Sequence, residues 1–248
     1  VTAYNNIIYL TTTTTKSQTM CGIYDQGGTT SGTTRLYYNT IYLSGQAPAV
    51  SNLNSYGIWG FNAVNTKDYR NNLIYNARTT SSTTCRQAAI SFNDLPAAGS
   101  LTLDYNNYYT PNPNGVVGYV GTHLAGTDYT TLANWQAVFT PAKDANSISI
   151  DPVFVVKGST NALEYRPAAS MPGLLNLGNI HDDYGTIGVR NDPVTMGAWE
   201  NDCNGTVSIS PTSIVECENE TVTFTITVTN VTTPGYQWQV STDSGATW

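Results

Sequence analysis

The sequence predicts an all-β protein whose main part is a parallel β-helix. A short phrase recurs four times, as NNIIYL at 5–10, NTIYLS at 39–44, NNLIYN at 71–76 and DYNNYY at 104–109. The aligned asparagines follow one another at steps of 33, 33 and 34 residues: Asn6, Asn39, Asn72 and Asn106. A fixed period of this length indicates a repeat architecture. Because the phrase is rich in Tyr, Ile, Thr and Leu and lacks helical spacing, parallel stacked strands are favoured over ankyrin or tetratricopeptide helices.

Two columns of the repeat are predicted to face the interior. Two positions after the asparagine come Ile8, Ile41, Ile74 and Tyr108, and three positions before it come Ala3, Leu36, Tyr69 and Leu103. The two columns differ in parity, yet the side chains of one straight strand alternate between its faces. The chain must therefore turn a corner near the asparagine, which tolerates the left-handed backbone conformation that such corners need. Stacked in successive rungs, the four asparagine amides are predicted to form a hydrogen-bonded ladder.

The next column along the repeat is predicted to be a stripe of tyrosines on the outer surface: Tyr9, Tyr42, Tyr75 and Tyr109. Sugar rings stack on aromatic faces, so a stripe at fixed spacing is a candidate carbohydrate-binding site. The alternative is that these tyrosines cover a sheet face and stack on one another. On the other side of the corner, Arg35 is predicted to lie over Asp68 as an exposed pair.

A second strand is predicted in each repeat. Its segments are CGIYDQGG at 21–28, YGIWGFNA at 56–63, AAISFND at 88–94 and VVGYVG at 116–121. The excursions between strands are rich in Ser, Thr, Asn and Pro, a composition typical of surface loops.

The composition limits the classes of partner. Of 248 residues, 11% are charged, the net charge is −7 and the pI is about 4.6. Nucleic acid is not expected as a partner, because binding it requires a basic stripe. No membrane insertion is expected either, because no apolar run approaches the roughly 20 residues that cross a bilayer. Without an initiator Met or a signal peptide, the sequence is expected to be an interior fragment or a mature piece, part of a larger chain or filament.

The four cysteines leave their pairing open. Cys21 and Cys85 fall about two rungs apart, roughly 10 Å, which exceeds the reach of a disulfide. Cys203 and Cys217 could pair with each other, or one of them could have lost its partner to truncation.

The segment after residue 104 resembles a known family. Its motifs are a Leu-x-x-Trp, a D-x-N-S and a D-P-x-F, carried here by Leu132, Trp135, Asp144, Asn146, Ser147, Asp151, Pro152 and Phe154. The stretch at 181–200, HDDYGTIGVRNDPVTMGAWE, is similar to the terminal cap of the same family. These motifs resemble secreted bacterial right-handed parallel β-helix proteins. The resemblance implies rungs over 1–157 and a closing cap over 158–202 that covers the edge of the last rung.

The last part of the chain follows a different pattern. TVTFTITVT at 221–229 alternates strictly, which predicts a strand with one buried face formed by Val222, Phe224, Ile226 and Val228. YQWQV at 236–240 repeats the alternation and supplies Trp238. The stretch resembles the immunoglobulin-like modules of large Bacteroidota surface proteins. Since such a sandwich needs about 100 residues, 203–248 is interpreted as a partial module.

Acidic residues are the candidates both for catalysis and for metal binding. No repeat column stacks two carboxylates, so no catalytic pair of a polysaccharide lyase or hydrolase is predicted. Asp182, Asp183 and Asp192 could hold Ca²⁺, which favours several oxygen ligands. The alternative for this cluster is a solvated loop with a salt bridge to Arg190, and it is favoured because the ligand spacing of known calcium loops is missing.

These observations predict a non-enzymatic, extracellular structural or adhesive segment of a large bacterial cell-surface protein. The β-helix would serve as a rigid stalk or as a platform for a glycan or a surface-protein ligand. No cofactor is predicted. The alternative is a carbohydrate-active β-helix enzyme with its active site outside or upstream of this fragment, because fold alone does not define function.

Overall fold

The computed structural model describes residues 1–12, 18–28, 32–49, 53–122, 125–174, 177–180, 182–184, 190, 194–200, 206–212 and 221–229. β-Strands predominate among them, which confirms the predicted all-β class. The chain divides into two compact units, Val1–Asn201 and Asp202–Trp248.

The first unit consists of short strands and a few helical turns. The strands are β1 (Thr2–Tyr4), β2 (Ile7–Thr12), β3 (Met20–Asp25), β4 (Thr33–Tyr37), β5 (Thr40–Ala47), β6 (Ser55–Gly60), β7 (Thr66–Arg70), β8 (Leu73–Asn76), β9 (Thr79–Thr80), β10 (Gln87–Phe92), β11 (Leu101–Asp104), β12 (Asn107–Tyr109), β13 (Gly115–Gly121) and β14 (Gly126–Tyr129). The helical elements are α1 (Leu132–Gln136) and three 3-10 turns at Ala98–Ser100, Ala162–Tyr165 and Leu177–Asn179.

Three sheets contain the repeating strands. In the first sheet β1, β4, β7 and β11 lie side by side and parallel. In the second, β3, β6, β10 and β13 are parallel, and β14 joins β13 in the antiparallel sense. In the third, β2, β5, β8 and β12 are parallel, and β9 pairs with β5. Each repeat thus contributes one strand to each sheet, always beside the equivalent strand of the next repeat.

The interior is filled by the columns that the sequence predicts to face inward. Ile41, Ile74 and Tyr108 are fully buried, and Leu36, Tyr69 and Leu103 are at most 2% exposed. All six belong to one hydrophobic cluster, against which Ala3 and Ile8 pack. Both inward columns are therefore confirmed. At about 25 cal/mol per Å² of buried apolar surface, this continuous cluster is the main stabilising contribution to the unit.

The corner between the two columns lies where predicted, but a different residue adopts the left-handed backbone. The positive φ angles are 54°, 53°, 57° and 53°, at Asn5, Tyr38, Asn71 and Tyr105. Each of these residues immediately precedes a ladder asparagine. The prediction that the ladder asparagines themselves take this conformation is wrong: the residue before each of them makes the turn, and the asparagine that follows directs its side chain along the ladder.

The edge of the last repeat is closed by residues 126–150. β14 pairs with β13, Ile148 forms a parallel bridge with Asn107, and the backbone N–H of Asp144 donates to Leu103 O at 2.8 Å. Trp135 of α1 is fully buried here, against Gly118, where a Cβ would lie only 2.0 Å from the indole. The prediction that 158–202 covers this edge is wrong for the described part of that segment, which instead lies against strands β2 and β5 of the third sheet and against the corners at Tyr38 and Asn71.

The second unit contains two described strands, β15 (Thr206–Ser210) and β16 (Thr225–Thr229), which pair in the antiparallel sense. Because β16 begins at Thr225, it is shorter than the strand predicted at 221–229. Val222 and Ile226 are half-buried, whereas Phe224 is 40% exposed, so its predicted burial is wrong in this structure. The side chain of Val228, the strand predicted at 236–240 with Trp238, and Cys203 and Cys217 lie outside the described residues.

Candidate functional site

The ladder asparagines form a continuous row of hydrogen bonds. The side-chain amide Nδ2 donates to the Oδ1 of the next asparagine at 2.7 Å from Asn6 to Asn39, 2.9 Å from Asn39 to Asn72 and 3.1 Å from Asn72 to Asn106. The same three oxygens also accept the backbone N–H of the preceding asparagine. The row therefore satisfies buried backbone donors at each corner, where strand pairing is interrupted.

The row ends on a buried carboxylate, Asp144. Its oxygens accept hydrogen bonds from Trp135 Nε1 at 2.9 Å, the Tyr108 hydroxyl at 3.0 Å, Ser147 Oγ at 2.6 Å and Asn106 Nδ2 at 3.4 Å. Asp144 is fully buried, and this burial raises its pKa to about 6, although the four donors act in the opposite direction. The D-x-N-S motif thus supplies the end of the ladder.

The predicted tyrosine stripe is present as a column. Strand pairing places Tyr9 beside Tyr42, Tyr42 beside Tyr75 and Tyr75 beside Tyr109. The ring centroids of these pairs lie 5.8, 5.0 and 4.9 Å apart. The rings point away from the hydrophobic interior and form a second cluster outside it.

The stripe is covered by the chain itself. Phe154 lies 6.1 Å from Tyr42 and 6.0 Å from Tyr75 between ring centroids, and Tyr165 lies 5.6 Å from Tyr42. Tyr42 and Tyr75 are consequently only 6% and 5% exposed. The prediction of an exposed surface stripe is wrong for these two residues, because the apolar side chains of residues 151–174, here called the covering segment, remove them from solvent. Their ring faces are not open to a sugar.

The acidic cluster predicted near the C-terminal end of the first unit is only partly described. Asp182 is exposed, Asp183 is buried and Asp192 lies outside the described residues. Among described residues no group of three or more His, Cys, Asp and Glu side chains converges as metal ligands. The guanidinium of Arg190 donates to Glu200 Oε1 at 2.5 Å and to the backbone oxygen of Asp182 at 3.2 Å. The predicted salt bridge was between this cluster and Arg190, whereas in the structure Arg190 forms a salt bridge with Glu200, which the predicted cluster does not include.

A buried ion pair joins β3 of the first repeat to β7 of the third repeat on the inside. Lys67 Nζ donates to Asp25 Oδ2 at 2.8 Å, and both residues are almost fully buried. Asp25 also accepts from the Tyr69 hydroxyl and from Thr34 Oγ1 at 3.1 Å. Burial raises the pKa of Asp25, but the hydrogen bonds from Lys67, Tyr69 and Thr34 outweigh burial and place the pKa below its usual value. The Asp25 carboxylate is thus held by three donors of the fold itself: Lys67, Tyr69 and Thr34.

An aromatic patch that sequence reasoning did not single out lies on the outer face of the second sheet. Tyr24, Trp59 and Phe61 form a triangle with ring centroids 5.0 to 5.9 Å apart. Tyr24 is 46% and Phe61 40% exposed, and Trp59 is half-buried. Tyr56 supports Trp59 from the side at 4.9 Å. The signal was present in the aligned segments CGIYDQGG and YGIWGFNA, which place Tyr24 and Trp59 in one register.

Comparisons with known proteins do not extend this description. No known protein family, no curated protein and no solved structure matches the chain. Of the helices in the part of the chain that the structure describes, none has the length and apolar character to cross a membrane.

Proposed function

We propose that the first unit is a right-handed parallel β-helix acting as a non-enzymatic structural and display segment of a large extracellular bacterial protein. The second unit is proposed to be part of an immunoglobulin-like module in the same chain. The handedness follows the general preference of parallel connections, which are right-handed in about 98% of cases.

The proposal is supported most directly by strand pairing in three sheets: in each sheet, equivalent positions of successive repeats lie side by side. Arg35 lies between Thr2 and Asp68, Ile41 between Ile8 and Ile74, and equivalent strands follow one another without interruption. A unit in which each repeat contacts mainly the next is a quasi-one-dimensional column. Such a column suits the holding of other modules at a distance, and its long loops suit the display of ligand-binding groups.

Three buried carboxylates bond to groups from other elements of the fold, which supports a structural role. Asp25 joins β3 to β7, Asp144 ends the asparagine ladder, and Glu200 pairs with Arg190 in the segment that lies against the third sheet. Each of these carboxylates is held by several donors from neighbouring elements. Removing one partner of the Asp25–Lys67 or Arg190–Glu200 pair would cost about 3–5 kcal/mol because it leaves a buried charge uncompensated, so each pair ties the elements that it joins to one another.

Protease shaving of intact cells of the source organism tests the proposed location. Surface proteins are cut by added trypsin, and mass spectrometry of the released peptides identifies them. We expect peptides from this chain in the released fraction before cells lyse. Recovery only from the lysate of shaved cells would contradict an extracellular role.

A polysaccharide degradation assay tests the non-enzymatic part of the proposal. The purified chain is incubated with neutral and acidic polysaccharides, and new reducing ends and unsaturated products are measured. We expect no release above buffer. If the chain releases such products and the Asp104→Asn or Asp128→Asn variant does not, the chain is instead a carbohydrate-active enzyme.

A further inference from the structure

The aromatic patch of Tyr24, Trp59 and Phe61 brings two exposed rings into contact with each other. The tyrosine stripe is closed by the covering segment, and Trp135 is fully buried. In the patch, by contrast, Tyr24 and Phe61 leave 46% and 40% of their surface in solvent. Contiguous exposed rings supported by a buried aromatic neighbour are typical of an interaction site rather than of a surface that happens to be apolar.

Two buried polar atoms, one in Trp59 and one in its neighbour Ser91, indicate the chemistry of the occupant. The indole Nε1 of Trp59 and the Oγ of Ser91 are buried and have no hydrogen-bond partner. Ser91 is fully buried and lies beside Trp59 in the pairing of β6 with β10. An unsatisfied buried donor costs about 1–3 kcal/mol, which a ligand hydroxyl bonded to either group would recover. The site thus combines ring faces for stacking with groups that bind hydroxyls.

The charges around the patch favour an uncharged ligand. Asp25, next to Tyr24 in sequence, points inward and pairs with Lys67. On the same sheet Arg86 pairs with Asp128. These charges are neutralised by each other and leave neither a cationic clamp for an acidic polysaccharide nor an anionic one for a basic peptide.

We propose that the patch of Tyr24, Trp59 and Phe61 binds an uncharged polysaccharide, an assignment that rests on the proposed role of the unit as a display platform. Tyr24 and Phe61 supply the exposed ring faces on which pyranose rings stack. Trp59 supplies the central ring, and its Nε1 and Ser91 Oγ bind sugar hydroxyls. Because Tyr24 and Trp59 belong to neighbouring repeats, the sugar chain runs across the rungs.

Affinity electrophoresis tests the proposal directly. The chain migrates through native gels that contain soluble mannan, xylan, mixed-linkage β-glucan or starch, with polygalacturonate as the acidic comparison. We expect at least one neutral polymer to retard the wild-type chain. The Tyr24→Ala and Phe61→Ala variants should each weaken this binding by about tenfold, as expected for aromatic contacts at the centre of a site.

Matched controls separate binding from folding. Tyr4→Ala removes another exposed tyrosine, 51% exposed and outside the patch, and should leave retardation unchanged. Trp59→Phe keeps a ring but removes the indole N–H, and should weaken binding less than Tyr24→Ala. Because the rings of Tyr24, Phe61 and Tyr4 are exposed, their Ala variants should keep the wild-type circular dichroism spectrum and melting temperature.

Three outcomes would overturn the assignment. They are retardation by none of the neutral polymers, retardation that Tyr24→Ala and Tyr4→Ala reduce equally, and a wild-type dimer in sedimentation that Phe61→Ala dissociates, which would make the patch an interface between two copies. None of these outcomes affects the protease shaving result, so the proposed display role is tested independently of the proposed ligand.

Discussion

At the scale of single residues, the asparagine ladder replaces the hydrogen bonds that each corner takes away from the strands. Asn72 illustrates the density of this bonding. Its Oδ1 accepts from both the backbone and the side chain of Asn39, and its Nδ2 donates to the backbone oxygens of Leu36 and Arg70 and to Asn106. No other side chain of similar size offers two donors and an acceptor in one plane.

Replacing Asn72 by Ala should therefore be strongly destabilising. The substitution leaves the backbone N–H of Asn39 buried without its acceptor, at a cost of about 1–3 kcal/mol, and it also removes the hydrogen bonds to Asn39 Nδ2, Leu36 O and Asn106 Oδ1. We expect a loss of about 3 kcal/mol or more in urea denaturation. Asn6→Ala, at the exposed end of the ladder, is the matched control and should cost no more than about 1 kcal/mol. Equal losses at both positions would contradict the ladder.

Asp144 should give the stability a characteristic pH dependence. Its pKa of about 6 in the folded chain exceeds the usual Asp value, so the folded state binds more protons between about pH 4 and 6. Stability from this group is complete below pH 4 and is lost as the pH rises through 6, by up to about 3 kcal/mol.

The comparison of wild type with Asp144→Asn isolates this contribution. The variant carries no titrating group at this position, so its free energy of unfolding should fall less steeply between pH 4 and 6. Chemical denaturation at pH 4, 5, 6 and 7 measures both slopes. A wild-type free energy that rises over this interval relative to the variant would contradict the assignment.

At the scale of elements, the covering segment stabilises corner residues that have an unusual backbone conformation. Tyr38 is a bulky residue with a positive φ, which is uncommon outside glycine and asparagine. Its hydroxyl donates to Leu174 O at 2.8 Å, and the Arg190 guanidinium lies 3.8 Å from its ring centroid. At the equivalent corner one repeat later, Asn71 exchanges two hydrogen bonds with Leu174, each 2.8 Å long. The covering segment thus fixes two corners.

Removing Phe154 should expose the tyrosine stripe. Phe154 is 5% exposed and contacts Tyr42, Tyr75 and Tyr165. Phe154→Ala leaves a cavity over these rings and should cost about 3–5 kcal/mol. In the same variant, nitration of Tyr42 and Tyr75 by tetranitromethane should accelerate, as peptide mass spectrometry would record.

Val155→Ala provides the control, because Val155 is 70% exposed and its truncation should change stability by less than about 0.5 kcal/mol. If Phe154→Ala leaves the nitration of Tyr42 as slow as in wild type, the segment does not cover the stripe in solution.

At the scale of the whole molecule, periodicity predicts more than local propensity does. The 33-residue step alone gives the strand pairings, because stacked repeats align equivalent residues: Ile41 with Ile74, Tyr42 with Tyr75 and Arg35 with Asp68. The inward columns follow from the same alignment together with side-chain parity.

Features of the structure that do not repeat could not be predicted from the periodicity. The covering segment is not a repeat, and its place over Tyr42 depends on long-range contacts that no local pattern encodes. For the same reason, parity could show that Tyr42 points outward but not that another part of the chain buries it. The repeat alignment places Trp59 in a strand but does not predict its exposure, since exposure depends on what the rest of the chain leaves uncovered.

The stacking of successive repeats is tested most directly by engineered disulfides. In a background in which Cys21, Cys85, Cys203 and Cys217 are replaced by Ala, Cys is introduced at Arg35 together with Asp68, or at Arg35 together with Thr102. Neighbouring parallel strands lie about 4.8 Å apart, within disulfide range, and strands two repeats apart lie about 10 Å apart, beyond it. Arg35 and Asp68 are direct partners, and Thr102 is the next residue in the same column. Oxidation followed by tryptic mass spectrometry should find the crosslink in the Arg35→Cys, Asp68→Cys chain and not in the Arg35→Cys, Thr102→Cys chain; the reverse result, or a crosslink in neither, would contradict the stacked-repeat account.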